Sequence, residues 1–259
     1  TLKYLAENPV DIDQNSLGFK QFWAFFSLLN LSKIGKKCGI YKRSGHAPVR
    51  VLLEIVSLVF RGLTLFRATK SDSSPLQKDM VHRFLKRAEI DWYQWFSQIA
   101  WKVAQDFMPA MGSHQANDVL IIDDTMIERP RSKKVELLAW IWDHAKKRNV
   151  SAYQSVVLAV SDGMSVVPLD FRLKVGNHLV DASTKQVVPA STPAAARREQ
   201  AHRTKLELAI DMVGRAIQNG FAGSYLLVDS WYALPAFITT IVRDHRLHTI
   251  GQVRSNFRV

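Results

Sequence analysis

The sequence predicts an α/β chain in two parts: an all-α N-terminal region, 1–112, and a mixed-sheet domain, 113–259. Three observations predict it. Up to about residue 107, apolar side chains recur at helical spacing. From Asn117 onward, short runs of β-formers bounded by turn residues take over. Among those runs, two are joined by a tight turn and the next is reached only through an amphipathic helix.

The helices come in order. Residues 19–31 are rich in Phe, Trp and Leu, with Asn15 or Ser16 as N-cap. A basic loop follows, carrying Lys33, Lys36, Lys37, Lys42 and Arg43, with Gly35, Gly39 and Gly45 as breakers. Pro48 opens a helix over 49–65. After a polar break at 71–75, residues 76–88 place Met80, Val81, Phe84 and Leu85 on one face. Asp91 caps a helix running to about Phe107. Trp23, Trp92, Trp95 and Trp101 belong to helical core.

The strands follow. Residues 119–122 are consecutive apolar β-formers ending in Asp123-Asp124. A second strand covers 153–160, and a third covers 165–173. Between them Asp162-Gly163 predicts a type I′ hairpin turn. Residues 176–193 are loop. One long amphipathic helix spans 195–218, with Leu206, Ala209, Met212, Val213, Ala216 and Ile217 at helical spacing and Gly220 as its stop. A buried strand over 225–228 ends in Asp229, a helix covers 234–244, and a last strand covers 249–253. Hairpin-linked antiparallel strands followed by helix-linked parallel ones are the element order of a ribonuclease-H-like sheet.

Composition narrows the function classes. With 47% hydrophobic and 22% charged residues, the chain is neither disordered nor fibrous. The net charge of +12 points to a polyanionic partner, nucleic acid first. The single cysteine, Cys38, cannot form an internal disulfide and fits a reducing compartment as a small buried apolar side chain. The most apolar stretch, 51–60, is too short for a membrane span and carries Glu54. No signal peptide is visible. The first residue is Thr and the last residues form a strand-like run, so both ends are expected to be cuts in a longer protein.

Two apolar strands ending in carboxylates are the chemical signal. If the strand before Asp123 and the strand before Asp229 are neighbours, their anionic side chains meet, which is costly unless a cation lies between them. Hard oxygen ligands of this kind suit Mg²⁺ or Mn²⁺. Two such ions about 4 Å apart would activate a nucleophile and stabilise the leaving oxygen of a phosphodiester. Set against this, an Asp after a strand is also an ordinary turn former.

The run from Val119 through Asp123-Asp124-Thr125 to Pro130 resembles the first catalytic segment of insertion-sequence transposases of the DDE superfamily. Tyr225-Leu-Leu-Val-Asp-Ser-Trp-Tyr232 resembles the second, and Lys78 to Leu85 is similar to the N-terminal helical region of that family. The resemblance implies Asp123 and Asp229 as catalytic metal ligands, with Asp124 as the alternate to Asp123. Strand alternation lets only one of the adjacent pair face the metal readily. It further implies Mg²⁺ or Mn²⁺ as cofactor, two ions in the intact site. The implied partners are double-stranded DNA, as terminal inverted repeats and as target. A homodimer on DNA, no membrane, and a cytoplasmic, nucleoid-associated location are also implied. The family requires a third carboxylate, a Glu, yet no Glu follows Glu207 and the only later acid after Asp229 is Asp244. The expectation is an inactive fragment. Its rivals are a non-catalytic DNA-binding remnant and another nuclease of this fold, such as a Holliday-junction resolvase.

The basic residues fall into clusters suited to phosphate contact. Lys36 and Lys37 lie in the early loop, and His82, Arg83, Lys86 and Arg87 on the helix over 76–88. Arg131, Lys133 and Lys134 follow the first carboxylate strand, with Arg129 beside them. Lys146, Lys147 and Arg148 precede the second strand. Arg197 and Arg198, with Arg203 and Lys205, line the polar side of the long helix. Trp140, Trp142, Asp143 and His144 are expected to serve packing, and Asp170 and Asp181 to sit in a loop or exposed strand.

Overall fold

The computed structural model describes residues 17–43, 45–71, 76–108, 118–181 and 187–252. The chain forms two compact units, 1–95 and 96–259, and the division falls inside one helix. The N-cap expected at Asn15 or Ser16, the break at 72–75, the side chain of Trp23 and the run from residue 253 onward lie outside the described residues.

The first unit is helical: α1 (Leu17–Leu28), α2 (Leu31–Lys37), α3 (Pro48–Phe60), α4 (Leu65–Lys70), α5 (Lys78–Leu85) and the start of α6 (Trp92–Phe107). Pro48 stands in the first turn of α3, where its missing N–H is no loss. Asp91 caps α6 by accepting from the Gln94 N–H at 3.0 Å. Ile40, Val51, Leu52, Leu76, Val81, Phe84 and Ile90 form the core, with Trp92 and Trp95 packed on it. Cys38 is buried as expected, and burial pushes its thiol up to about 11.

Two expectations change here. Lys33, Lys36 and Lys37 lie in or at the end of helix α2 rather than in a loop. Gly35 is buried within that helix, and a Cβ there would meet Ile40 at 3.3 Å, so this glycine serves close approach rather than helix breaking. The long helix over 49–65 divides into α3 and α4, with Thr64 capping the second.

The second unit is a mixed seven-stranded sheet. Its strands are β1 (Val119–Glu128), β2 (Ala139–Asp143), β3 (Arg148–Ser161), β4 (Val166–Lys174), β5 (His178–Leu179), β6 (Tyr225–Val228) and β7 (His248–Gly251). Helices α7 (Pro193–Ala201) and α8 (Lys205–Gln218) precede β6, and α9 (Pro235–His245) precedes β7. The path runs β5-β2-β3-β1-β6-β7, with β4 also paired to β3. β3 is antiparallel to β1, β2 and β4, whereas β1, β6 and β7 are mutually parallel. The subset β4-β3-β1-β6-β7 is the ribonuclease-H-like arrangement. Leu120 and Ile122 of β1, Val156 and Leu158 of β3, and Leu208 and Met212 of α8 meet in one core.

The structure departs from the expected elements in five places, one of them the short β5 inside the stretch 176–193 read as loop. β1 does not end at Asp123 but continues to Glu128, because Thr125, Met126 and Ile127 keep pairing with β3. The strand β2 was not foreseen; it pairs with the first residues of β3. Asp162 has no positive φ among the described residues, so the connection to β4 is not a type I′ turn. Instead the Asp162 carboxylate accepts from the Met164 and Ser165 N–H groups, and Gly163 takes the positive φ. Finally, the amphipathic stretch 195–218 is two helices broken before Thr204.

Thr204 and Glu207 form a reciprocal capping box at the start of α8. Hydrogen bonds from the Thr204 side chain and backbone hold the Glu207 carboxyl below its ordinary value. The carboxyl's folded value is lowered, so the cap contributes fully above about pH 4.3 and is lost as pH falls through the folded value. Thr204→Ala is expected to cost about 1 kcal/mol in urea unfolding at pH 7. The difference between variant and wild type should shrink in acid.

Candidate active site

β1 and β6 pair in parallel, with Ile121 beside Leu227 and Ile122 beside Val228. Asp123 and Asp229 are each the next residue. Adjacent strands lie about 4.8 Å apart, so the topology brings these two carboxylates side by side. Both are exposed. Each has one oxygen engaged locally. Asp123 Oδ1 accepts from the Asp124 N–H at 2.8 Å. Asp229 Oδ1 accepts from the Trp231 N–H at 2.9 Å and the Tyr232 N–H at 3.2 Å, closing the turn after β6.

Asp124 is on the other side of the sheet. Successive strand residues alternate faces, so it shares the side of buried Leu120 and Ile122. There Asp124 Oδ2 accepts from Lys205 Nζ at 2.9 Å and from Gln154 Nε2 at 3.1 Å. The Tyr232 hydroxyl donates to Asp124 Oδ1 at 3.4 Å. Tyr232 is fully buried, and burial, with Asp124 adding to it, raises its phenol above the usual range. It therefore remains a donor. Lys205 also lies 4.3 Å from the centre of the Trp231 ring. Lys205 was expected to contact phosphate; this network engages it instead. Gln154 and Tyr232 carried no expectation as partners, although Tyr232 stands only three residues after Asp229.

Asp123 and Asp229 offer hard oxygens on an open edge, which fits Mg²⁺ or Mn²⁺. Among the described residues, no group of three or more His, Cys, Asp and Glu could hold a metal ion, so the pair stands without a third carboxylate. Asp124 does not complete it, being on the opposite face and hydrogen-bonded at both oxygens.

The remaining candidates divide by environment. In the first unit, Lys36, Lys37, His82, Arg83 and Lys86 are exposed. Arg87 is partly engaged: it donates to the Tyr41 carbonyl at 2.9 Å and lies over the Phe84 ring. In the second unit, Arg131, Lys133, Lys134, Lys147 and Arg148 are exposed. Lys146 is held by Glu128 and Asp143, and Arg198 by Glu136 at 2.7 Å, so both are already neutralised. Arg197 is half-buried. Asp143 is buried and accepts from the N–H groups of Ala145 and Lys146, closing the β2–β3 turn. Asp170, expected on an exposed strand or loop, is instead buried in β4 between Arg172 and Arg215.

The ribonuclease-H-like sheet thus carries two aspartates on adjacent parallel strands, Asp123 within β1 and Asp229 directly after β6. Residues 64–259 match the family described as DDE superfamily endonuclease. The chain belongs to that family. A solved structure of the Drosophila P element transposase strand transfer complex is similar at 10% identity and a TM-score of 0.24, covering 84% of this chain. The chain spans 36% of that chain's length. No curated protein matches significantly. Among the described residues, no helix is long and apolar enough to cross a membrane.

Proposed function

We propose that this chain is the core of an insertion-sequence DNA transposase. The observation that supports this most is the parallel β1–β6 register, which sets Asp123 beside Asp229 while Asp124 is tied to Lys205. Asp123 and Asp229 would hold Mg²⁺ or Mn²⁺, two ions in the intact site. Ions held there supply Lewis-acid activation of a nucleophilic oxygen and neutralise charge on the scissile phosphodiester. The free carboxylate oxygens face solvent, so a DNA phosphate can approach them. Asp124, with Lys205, Gln154 and Tyr232, keeps β1, α8 and the turn after β6 in place and so fixes the spacing of the other two acids. Exposed Arg131, Lys133, Lys134, Lys147 and Arg148 would contact the backbone of double-stranded DNA, both terminal inverted repeats and target. Lys36, Lys37, His82 and Arg83 would do so from the helical unit, in a homodimer assembled on DNA.

No Glu follows Glu207, and two carboxylates hold a divalent ion less firmly than three. The purified chain is therefore expected to bind terminal-repeat DNA but not to nick a supercoiled plasmid in Mg²⁺ or Mn²⁺. Plasmid nicking that Asp229→Asn abolishes would overturn the inactivity and keep the site. Gel-shift preference for four-way junctions over terminal repeats would favour a resolvase.

A further inference from the structure

The sheet face that carries Asp123 continues well beyond the carboxylates. Paired residues on antiparallel strands point to the same side. Asp123, Thr125 and Ile127 of β1 therefore share a face with Val157, Ser155 and Tyr153 of β3. One strand further, Trp140 pairs with Ser151 and Trp142 with Asn149, which puts both tryptophans on that same face. They are 48% and 49% exposed. The reverse side of β2 is closed: Ala139 and Asp143 are buried, and Gly176 lies close enough that a Cβ on it would meet Ala139 at 2.9 Å. So β2 buries its small and acidic residues and presents two indoles outward, the opposite of what core formation alone would select.

The surroundings identify an occupant. Arg129 follows β1 on the Asp123 side and donates its backbone N–H to the carbonyl of Ser151, the residue paired with Trp140, and Arg131 and Lys147 are exposed in the adjoining loops. The nearby acids are already matched: Glu128 and Asp143 hold Lys146, and Glu136 holds Arg198. The stripe thus combines aromatic faces with uncompensated positive charge. Protein interfaces are also rich in Trp and Arg but deplete Lys, whereas this patch keeps Lys147 on a chain of net charge +12, which favours a polyanion. Duplex DNA stacks its base faces inside the helix and offers outward only base edges and phosphates, neither of which is a face for an indole to stack on. Unpaired bases offer both a face to stack and a phosphate to pair.

We propose that Trp140 and Trp142 form a stacking platform for unpaired bases of the DNA strand engaged at Asp123 and Asp229. The platform lies about 20–27 Å along the strands from Asp123 and about 10 Å across them, so several nucleotides separate the stacked bases from the carboxylates. The site assignment rests on the transposase reading, but the stacking itself is measured separately.

The test is fluorescence anisotropy of a labelled oligothymidylate and of a blunt duplex, each titrated with the full chain. Trp140→Ala and Trp142→Ala are each expected to weaken oligothymidylate binding about tenfold. Duplex affinity and the salt dependence should stay unchanged, since no charge is removed. Trp142→Phe should restore most of the loss. Circular dichroism and urea unfolding check that the variants fold; Trp140→Leu, which fills space without an aromatic face, serves if Trp140→Ala does not. Wild-type affinity for oligothymidylate in the alanine variants, or equal losses on both DNAs, overturns the platform. So does absence of oligothymidylate binding by the wild type. Sedimentation showing that the alanine variants dissolve an oligomer makes the face a protein interface and also overturns it. Asp123→Ala separates the two readings: cation binding is lost in it, while the tryptophan-dependent part of oligothymidylate binding, measured without divalent cation, is read from the Trp140 and Trp142 variants alone. Retained cation binding in that variant sinks the metal-site reading and leaves the platform standing.

Discussion

Asp123→Ala is expected to abolish Mn²⁺ binding with almost no loss of stability, and Asp124→Ala to do the reverse. Asp123 is exposed and its one hydrogen bond is to the next residue's N–H, so truncation should change urea unfolding by about 0.5 kcal/mol or less. It removes half of the pair that would hold the cation. Asp124→Ala leaves the ammonium of Lys205 without its partner at a site where the lysine side chain is 13% exposed. It also strands the buried Tyr232 hydroxyl and the Gln154 amide. The expected cost is about 2–3 kcal/mol, less than for a fully buried pair because Asp124 keeps some solvent contact. Mn²⁺ binding followed by electron paramagnetic resonance, together with urea unfolding, reads both effects. Asp229→Asn completes the set. It keeps the Oδ1 acceptor for the Trp231 and Tyr232 N–H groups, so the turn survives while the charge is lost. Loss of Mn²⁺ binding in Asp124→Ala but not in Asp123→Ala would reverse the assignment.

Asp170→Ala should be the most destabilising exchange of a polar residue in the sheet-bearing unit, by about 3–5 kcal/mol. The carboxylate is buried in β4, with Arg172 on one oxygen and Arg215 Nε at 3.0 Å on the other. It also accepts from the Phe171 N–H at 2.8 Å. Truncation leaves two guanidiniums facing each other across an emptied site. Asp170→Asn keeps an acceptor and should cost less. Replacing Asp170, Arg172 and Arg215 together by Leu, Met and Met should recover most of the loss, since a packed apolar trio has no charge to desolvate. Urea unfolding of the single and triple variants decides this. A triple variant as unstable as Asp170→Ala would show that the network contributes more than charge balance.

The parts of this architecture legible in the sequence are those whose signal is local. Apolar runs before Asp123 and Asp229 mark strands whose Leu120, Ile122, Leu226 and Val228 enter the core, and the crossover helix between them dictates parallel pairing. The stretches that mislead are those where a partner far away decides. β2 carries its large side chains outward, so Trp140 and Trp142 suggest packing when the buried residues are Ala139 and Asp143. Asp123-Asp124 looks like a strand end because adjacent acids resemble a turn, yet each acid meets a different environment on its own side of an unbroken strand. The Thr204–Glu207 box is written plainly in the sequence, but the apolar spacing on either side hides the break it marks. Asp170 pairs with an arginine 45 residues later, a relation that no window of periodicity reports.

β1 runs without interruption for 10 residues from Val119 to Glu128, with β3 paired beside it along its whole length. No hinge interrupts the span between the acidic edge and the far end beside the indoles. A polymer touching both places would be measured against a stiff ruler. The interval between them would then be set by the rise of extended backbone, and only an inserted or deleted pair of residues in both strands could lengthen or shorten it while keeping every side chain on its own side.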